Sequence, residues 1–416
     1  MNTTIRILLL CPGIAFWAVS CRKLPDYPLR SSIQKTDSAG TIAQALDSSA
    51  CHLFDQAFHR SGLDSSLVPP SEYTIFAPTD SAMTAAGFTA SVIAGLSPDS
   101  LARLVKYHIV SGAYTDATLS EALFNVQANS IRQDISVDTV VGDLIYQQNL
   151  YLAEENGMVY INGEARGTGV PAVAAYNGDL FTIRQVLQAP GQSLWNLIAA
   201  DPRLTLFYAA LQIDDSLMVA FQAGDYYQHL CDSVLLSNII YTNGNNQGIV
   251  QNLPTVLAPT NAAFQAAGFN TVADLRNFAL RSPMSEGGVM PNNNFYYLND
   301  NPLDSILYAH FLYVNTSVNA SALLLLYNDF LFSPGINNGI LNTDVYQPLS
   351  RNTYAEYLQP YPLTFSNRGG EAYVQWNPAV PPAPIPPETP PSQPPTHYLA
   401  ENGALYIVDQ LFTSPN

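Results

Sequence analysis

The sequence predicts an α+β protein made of two tandem copies of one unit, and three blocks repeated in the same order carry that prediction. Residues 74–88 (TIFAPTDSAMTAAGF) and 255–269 (TVLAPTNAAFQAAGF) agree at nine of fifteen positions without a gap, the kind of internal self-similarity that decides a fold before local propensity does. Leu101, Leu104, Val105 and His108 fall at i, i+3, i+4 and i+7, and Leu303, Ile306, Leu307 and His310 repeat that spacing. Both sets describe amphipathic helices. The third pair, NGDLFTIRQVLQAP at 177–190 and NGALYIVDQLFTSP at 402–415, reads as a tight Asn-Gly turn followed by a strand.

The first twenty residues precede this pattern. Met1–Ser20 carries one basic residue, Arg6, then an apolar run from Ile7 to Val19 broken by Pro12-Gly13. A bilayer core needs about 20 apolar residues, so the run suits a secretory signal rather than a span. It ends Ala18-Val19-Ser20-Cys21, which resembles the lipobox of bacterial lipoproteins. That resemblance implies cleavage before Cys21, a lipid on its thiol, and an outer-membrane lipoprotein facing the periplasm or the surface. Residues 21–38 lack periodicity and read as a tether. Of the four cysteines, Cys51 and Cys231 then remain, in different halves, and are expected to be unpaired and buried.

Composition narrows the partners. The 416 residues carry 16 Lys+Arg against 33 Asp+Glu, a formal net charge of −17, and charged residues make up 12%, about half the usual share of roughly 25%. The three lysines are Lys23, Lys35 and Lys106, and none lies beyond position 106. Without a basic patch nothing offsets phosphate repulsion, so nucleic acid is excluded as a partner. Adsorption to anionic lipid is excluded for the same reason, leaving the lipid anchor as the one membrane contact. The polar surface must come from Asn, Gln, Ser, Thr and the 24 Tyr.

Within each copy the elements follow in order. Thr79-Asp80 and Thr260-Asn261 are placed to cap a short helix that closes at Gly87 or Gly268. Ser97-Pro98 and Asn301-Pro302 supply a cap and an N1 proline to the amphipathic helices. Leu150–Glu155, Asn156-Gly157 and Met158–Ile161 form a hairpin with a type I′ turn signal. The glycine-rich Gly163–Gly169 follows that hairpin instead of opening a helix, so it is expected to be a loop and not a nucleotide fingerprint.

The strand ending TIFAPTD, the helix containing Tyr107-His108-Ile109-Val110, Asn162-Gly163 and the closing Asn-Gly strand together resemble the fasciclin (FAS1) domain. The resemblance covers residues 39–190 and, with departures, 191–416. It implies for each unit a compact β-sandwich or wedge of about seven strands with packed helices, and a role in adhesion. The second copy departs at Ala309, where the Tyr-His pair would need Tyr, and in its insertions.

Those insertions are located by spacing. The distance between copies grows from 181 to 202 residues across Arg281–Asn301, and to 225 by the closing strands. The run 378–395 (PAVPPAPIPPETPPSQPP) holds ten prolines in eighteen residues and favours polyproline II. Because the closing strand lies after it, the run is expected to be a stiff, projecting loop within the second unit, either a spacer or a ligand for a partner. Ala322–Phe332 is short and apolar and reads as core.

Motifs that carry chemistry are scarce. The six histidines form no H-E-x-x-H pair, and neither G-x-S-x-G nor a P-loop occurs. Asp300-Asn301 with Asp304, or Asp214-Asp215, could touch calcium, but helix caps explain them equally. No metal, cofactor or catalytic residue is assigned. The expected function is a non-catalytic envelope adhesion or interaction protein that binds a protein or glycan through loops; the alternatives are a glycan-binding accessory of a polysaccharide-uptake system, or an enzyme. Tyr107 and His108 are candidate partner-binding residues because the resemblance attaches adhesion to that region, although a lone His on an apolar helix face is also an ordinary core residue. Tyr296, Tyr297 and Trp376, in the second unit's insertions, complete the candidate set, since aromatics on added loops offer contact area at low entropic cost.

Overall fold

Two parallel strands, buried on both faces, form the centre of each unit. In the first unit Tyr73–Pro78 pairs with Gly178–Ile183, Ile75 opposite Leu180 and Phe76 opposite Phe181. In the second, Thr255–Pro259 pairs with Gly403–Val408, Val256 opposite Leu405 and Leu257 opposite Tyr406. Strands covered on both faces need nearly continuous apolar sequence, which is why TIFAP and GALYIV contain so few polar residues. The computed structural model describes residues 40–412 apart from 68, 134, 140–141, 147, 170, 172, 223–231, 239, 243–248, 252, 283–284, 290–295, 300, 313–323, 334–362 and 388–393.

Alternation along these strands divides each core in two. Ile75, Ala77 and Leu180 face the helices of the first unit, whereas Phe76, Phe181 and Ile183 face the interior of the sheet. Val256, Ala258, Leu405 and Ile407 face the second unit's helices; Leu257, Ala404, Tyr406 and Val408 face the other way. Burying a side chain of this size contributes about 1.5–3 kcal/mol, so a register slip of one residue would exchange both cores at once.

The first unit's sheet has eight strands: seven follow in the order Ile109–Ser111, Tyr73–Pro78, Gly178–Ile183, Glu164–Thr168, Met158–Ile161, Asn149–Glu155 and Val126–Asn129, and Val173–Ala175 pairs with Gly178–Ile183 off that path. Its two ends meet where Val110 bridges Ser130 and the Ile131 amide donates to the Ile109 carbonyl at 2.9 Å. The sheet is therefore rolled and barrel-like, which removes its edges. The hairpin turn has Asn156 at φ 54° and Gly157 at φ 78°, the type I′ geometry expected from Asn-Gly. Gly163–Gly169 differs from its expected loop: Glu164–Thr168 is a strand paired with Met158–Ile161. Its glycines suit a close approach rather than flexibility, since a Cβ on Gly167 would lie 2.5 Å from the Thr182 carbonyl oxygen.

The second unit uses a four-stranded sheet, Phe311–Leu312, Thr255–Pro259, Gly403–Val408 and His397–Ala400, and a three-stranded one, Thr364–Arg368, Glu371–Gln375 and Ala383–Ile385. Phe365, Val374 and Ile385 from the second sheet join Leu257, Tyr406 and Val408 from the first in one buried cluster. The part of the proline-rich run before residue 388 does not simply project, and 388–393 lie outside the described residues. Ala383–Ile385 adds an edge strand with Pro384 opposite Tyr373, and Ala383 and Ile385 are buried. An edge is the place in a sheet where proline costs no ladder bond. Leu324–Phe330 is core, as its composition suggested. Among the described residues, no helix is long and apolar enough to cross a membrane.

Two devices recur in both units. Asn177 Oδ1 accepts the Ile42 amide at 2.7 Å, and Asn402 Oδ1 accepts the Leu194 amide at 2.9 Å, so each Asn caps the helix that opens its unit. Beside them, a Cβ on Gly178 would lie 1.9 Å from the Tyr73 carbonyl oxygen and one on Gly403 2.3 Å from that of Pro254. The Asn-Gly pair thus serves a helix cap and a close strand contact. Asn402→Ala should lower the stability of the protein by about 1–3 kcal/mol in denaturant unfolding, because Leu194 would keep a buried, unsatisfied N–H. An unchanged midpoint would show that this bond contributes nothing.

Candidate functional site

His108 and His310 occupy the same place in the two units, and both are fully buried. The His108 carbonyl accepts the Phe76 amide at 2.9 Å and the His310 carbonyl accepts the Leu257 amide at 2.9 Å, tying the end of each helix to the first central strand. Each ring makes two further bonds. Nδ1–H of His108 donates to Leu104 O at 2.9 Å while Nε2 accepts the Leu187 amide at 2.9 Å. Nδ1–H of His310 donates to Leu257 O at 2.6 Å while Nε2 accepts the Phe412 amide at 2.9 Å. An Nε2 that accepts an N–H must be unprotonated, which sets the neutral Nδ1–H tautomer. Burial pushes His108 down to about 4 and His310 down to about 3.

Tyr107 is equally buried. Its hydroxyl accepts from Asn162 Nδ2 at 3.2 Å and donates to Asn149 O at 3.4 Å. Burial raises its pKa, with Asn162 opposing. The structure thus places Tyr107 and His108 together in the scaffold, where neither ring presents area to a partner. In the second unit Ala309 takes the Tyr107 position, packed in one cluster with Leu324, Leu325 and Leu326.

Polar groups also converge where the two units meet. Asp329 Oδ1 accepts the Asn125 backbone amide at 3.2 Å; its Oδ2 accepts Asn125 Nδ2 at 2.7 Å and the Leu326 amide at 2.8 Å. Asn125 Oδ1 in turn accepts Asn328 Nδ2 at 3.3 Å. Burial pushes the Asp329 carboxyl up to about 7 against these three donors. Nearby, His397 Nε2 lies 3.1 Å from Glu164 Oε1, and Tyr160 meets Phe332 edge-on at 5.5 Å. Tyr151 of the first unit belongs to the second unit's core cluster. Gly163 has φ +86°, and a Cβ there would approach Leu326 Cβ at 3.0 Å. The cleft between Tyr151 and Leu399–Glu401 has a volume of about 10 Å³, room for about one water molecule and not for a substrate.

The remaining candidates lie on the second unit's additions. Tyr296 and Tyr297 are in the strand Tyr296–Asn299, paired with Ser285–Val289 so that Val289 faces Tyr296 across the ladder. Trp376 is half-buried against the second core cluster, and its indole N–H has no hydrogen-bond partner among the described residues. The structure does not bring these three together with Tyr107 and His108. A feature not singled out from sequence is the tip of the hairpin Thr364–Gln375. Asn367–Glu371 is exposed, Arg368 lies 5.4 Å from the centre of the Tyr373 ring, and the Tyr373 hydroxyl donates to Glu371 Oε2 at 2.9 Å. The signal for it was present in Asn367-Arg-Gly-Gly-Glu371 between two alternating apolar runs. Cys21 lies outside the described residues; Cys51 is a buried free thiol.

Residues 49–189, most of the first unit, match the family model of the fasciclin domain. A solved structure of a FAS1 domain pair from the insect cell adhesion molecule fasciclin I aligns over 88% of this chain and 97% of its own, at 14% identity and a TM-score of 0.32. No curated protein matches the chain. The second unit repeats the first unit's parallel central strands, its buried histidine whose Nε2 accepts an amide beyond the closing strand, and its Asn-Gly cap, whereas Nδ1 donates to a different carbonyl in each, Leu104 in the first and Leu257 in the second.

The two buried histidines and Asp329 give the stability opposite pH dependences. The histidines, depressed from 6.5, protonate first in the unfolded chain, so their contribution is lost as pH falls from about 6.5 toward 4. Asp329, raised from 3.8 to about 7, contributes stability that is present below about 4 and lost as pH rises toward 7. Asp329→Asn removes the second effect. Its Tm, followed by circular dichroism, should rise more steeply between pH 4.5 and 6.5 than that of the wild type; equal slopes would mean that Asp329 does not titrate in that window.

Proposed function

We propose that this chain, with a fasciclin domain as its first unit, is a non-catalytic interaction protein of the cell envelope that engages a protein or glycan partner through the surface added to its second unit. The observation that carries this reading is the exposed hairpin tip. Arg368, Glu371 and Tyr373 hold one another in place there, so a partner would meet an ordered cation, carboxylate and aromatic edge at little entropic cost. Elsewhere the polar residues of the repeated frame are engaged internally: Tyr107 with Asn162, His108 with Leu187, Asn177 with Ile42. Asp80 and Asn261 follow the same pattern, each accepting an amide of an earlier helix, from Leu53 at 2.8 Å and from Leu206 at 2.9 Å. A lipid on Cys21 would hold the chain at the membrane, with residues 21–38 as the tether.

Pull-down from envelope extract and a glycan array, run in parallel with the wild-type chain and with Arg368→Ala/Tyr373→Ala, separate the possibilities. Retention of a specific protein or glycan by the wild type, weakened at least about tenfold in the double variant, is the expected result. Retention unaffected by the double variant moves the contact away from the tip. Glycan retention alone would favour a polysaccharide-uptake accessory. In the same cells Cys21→Ser should shift the protein from the membrane to the soluble fraction, and unchanged membrane retention would refute the anchor.

A further inference from the structure

The helix Thr205–Gln222 and the short helix Asp232–Ser237 bring three carboxylates together in the second unit. One oxygen each from Asp214, Asp215 and Asp232 lies within 4.8 Å of the others. Asp214 is fully buried and its Oδ1 accepts Asn301 Nδ2 at 2.7 Å. Asp215, half-buried, accepts the Asp232 amide at 2.6 Å and the Ser233 amide at 3.1 Å. Its two oxygens therefore have a structural task in capping the second helix.

Asp232 has none. Its side chain is 3% exposed, and its Oδ2 is buried with no hydrogen-bond partner among the described residues. A carboxylate withdrawn from water beside two other carboxylates is strongly disfavoured unless it is protonated or meets a cation. The chain offers little of its own: no lysine occurs after Lys106, and Arg203 is committed to Asp201 at 2.6 Å. We propose that Asp214, Asp215 and Asp232 hold a calcium ion. The donors are all hard oxygens, which suit calcium or magnesium rather than zinc or copper. Calcium–oxygen bonds of about 2.3–2.6 Å place opposite ligands at most about 5 Å apart, the spread seen here, and calcium accepts the irregular geometry that three aspartates on two helices impose. The half-buried Asp215 leaves a side from which water can complete the shell.

The site belongs to the second unit alone. Leu53 and Leu206 hold the same position, each donating its amide to the first residue of the short helix that follows the first central strand, Asp80 or Asn261. Counting on from them, Asp214 and Asp215 correspond to Ser61 and Gly62, where the first unit's helix has already ended. Lengthening that helix created the acidic pair, and the chain returning at Asp232 supplied the third acid. A bound ion would clamp the two helices, giving the enlarged unit a link that its smaller copy does not need.

The test uses the purified full chain, stripped with a chelator and titrated with calcium chloride or magnesium chloride by calorimetry, with Tm recorded alongside. Calcium should bind at one saturable site and raise Tm by roughly 5–10 °C at about 100-fold above its Kd. Asp232→Asn should abolish that rise while keeping the calcium-free Tm at or above the wild-type value, since it removes the buried charge. If that variant fails to fold, Asp214→Asn, which keeps an oxygen for Asn301, serves the same purpose with at least a tenfold loss in affinity. No calcium-dependent rise in the wild type, an equal or larger response to magnesium, or a rise that survives both substitutions would overturn the proposal. Survival in both variants would point instead to the exposed group Asp47, Asp55 and His59.

Discussion

A neutral imidazole sealed inside each unit is the constraint on which the rest of the fold depends. His108 and His310 stand where a helix ends, a central strand runs past, and the segment after the closing strand returns. Each ring has one N–H to give and one lone pair to fill, and burial leaves no water to do either. The closing segment must therefore bring a backbone amide, Leu187 or Phe412, to Nε2. That requirement holds the second central strand parallel to the first. It also keeps everything inserted between them, proline-rich run included, within one domain.

The duplication makes this logic readable because chemistry and identity come apart between the copies. Asp80 and Asn261 differ in charge, yet each contributes one oxygen to an amide in a preceding helix, and an oxygen is all the position requires. Tyr107 has no counterpart at Ala309, so its hydroxyl link to Asn162 belongs to the first unit alone. The frame tolerates that loss because the amide bond to histidine Nε2, the strand pairing and the Asn-Gly cap are each kept. Onto this frame the second unit adds an extra sheet, the exposed Asn367–Glu371 tip and a lengthened helix, while the first stays close to the minimum. The seam at Asn125 and Asp329 joins the two through buried hydrogen bonds.

Much of the frame was legible in sequence because it is local or periodic. The repeated TIFAPTD and TVLAPTN blocks, the i, i+3, i+4, i+7 helices and the Asn156-Gly157 turn all announce themselves within a few residues. What was not legible depends on partners far along the chain. Asn177 reads as half of a turn until Ile42, 135 residues away, is seen to donate to it. Gly163–Gly169 reads as a loop because a strand that must approach its neighbour closely needs glycine for the same reason that a loop tolerates it. The proline run reads as a projecting arm because polyproline II and a sheet-edge strand share the same backbone region. Tyr107 and His108 were candidates for adhesion by resemblance, and the helix spacing of His108 already pointed inward.

The most direct test of the histidine account is nitrogen-15 and proton NMR of the imidazole rings in the full chain across pH 4.5 to 8. The account predicts that two rings, identified by their loss in His108→Gln and His310→Gln, stay in the neutral Nδ1–H form with an unprotonated Nε2 and do not titrate down to about pH 5. Titration of either ring near the ordinary value of about 6.5, or a proton on Nε2 at neutral pH, would contradict it.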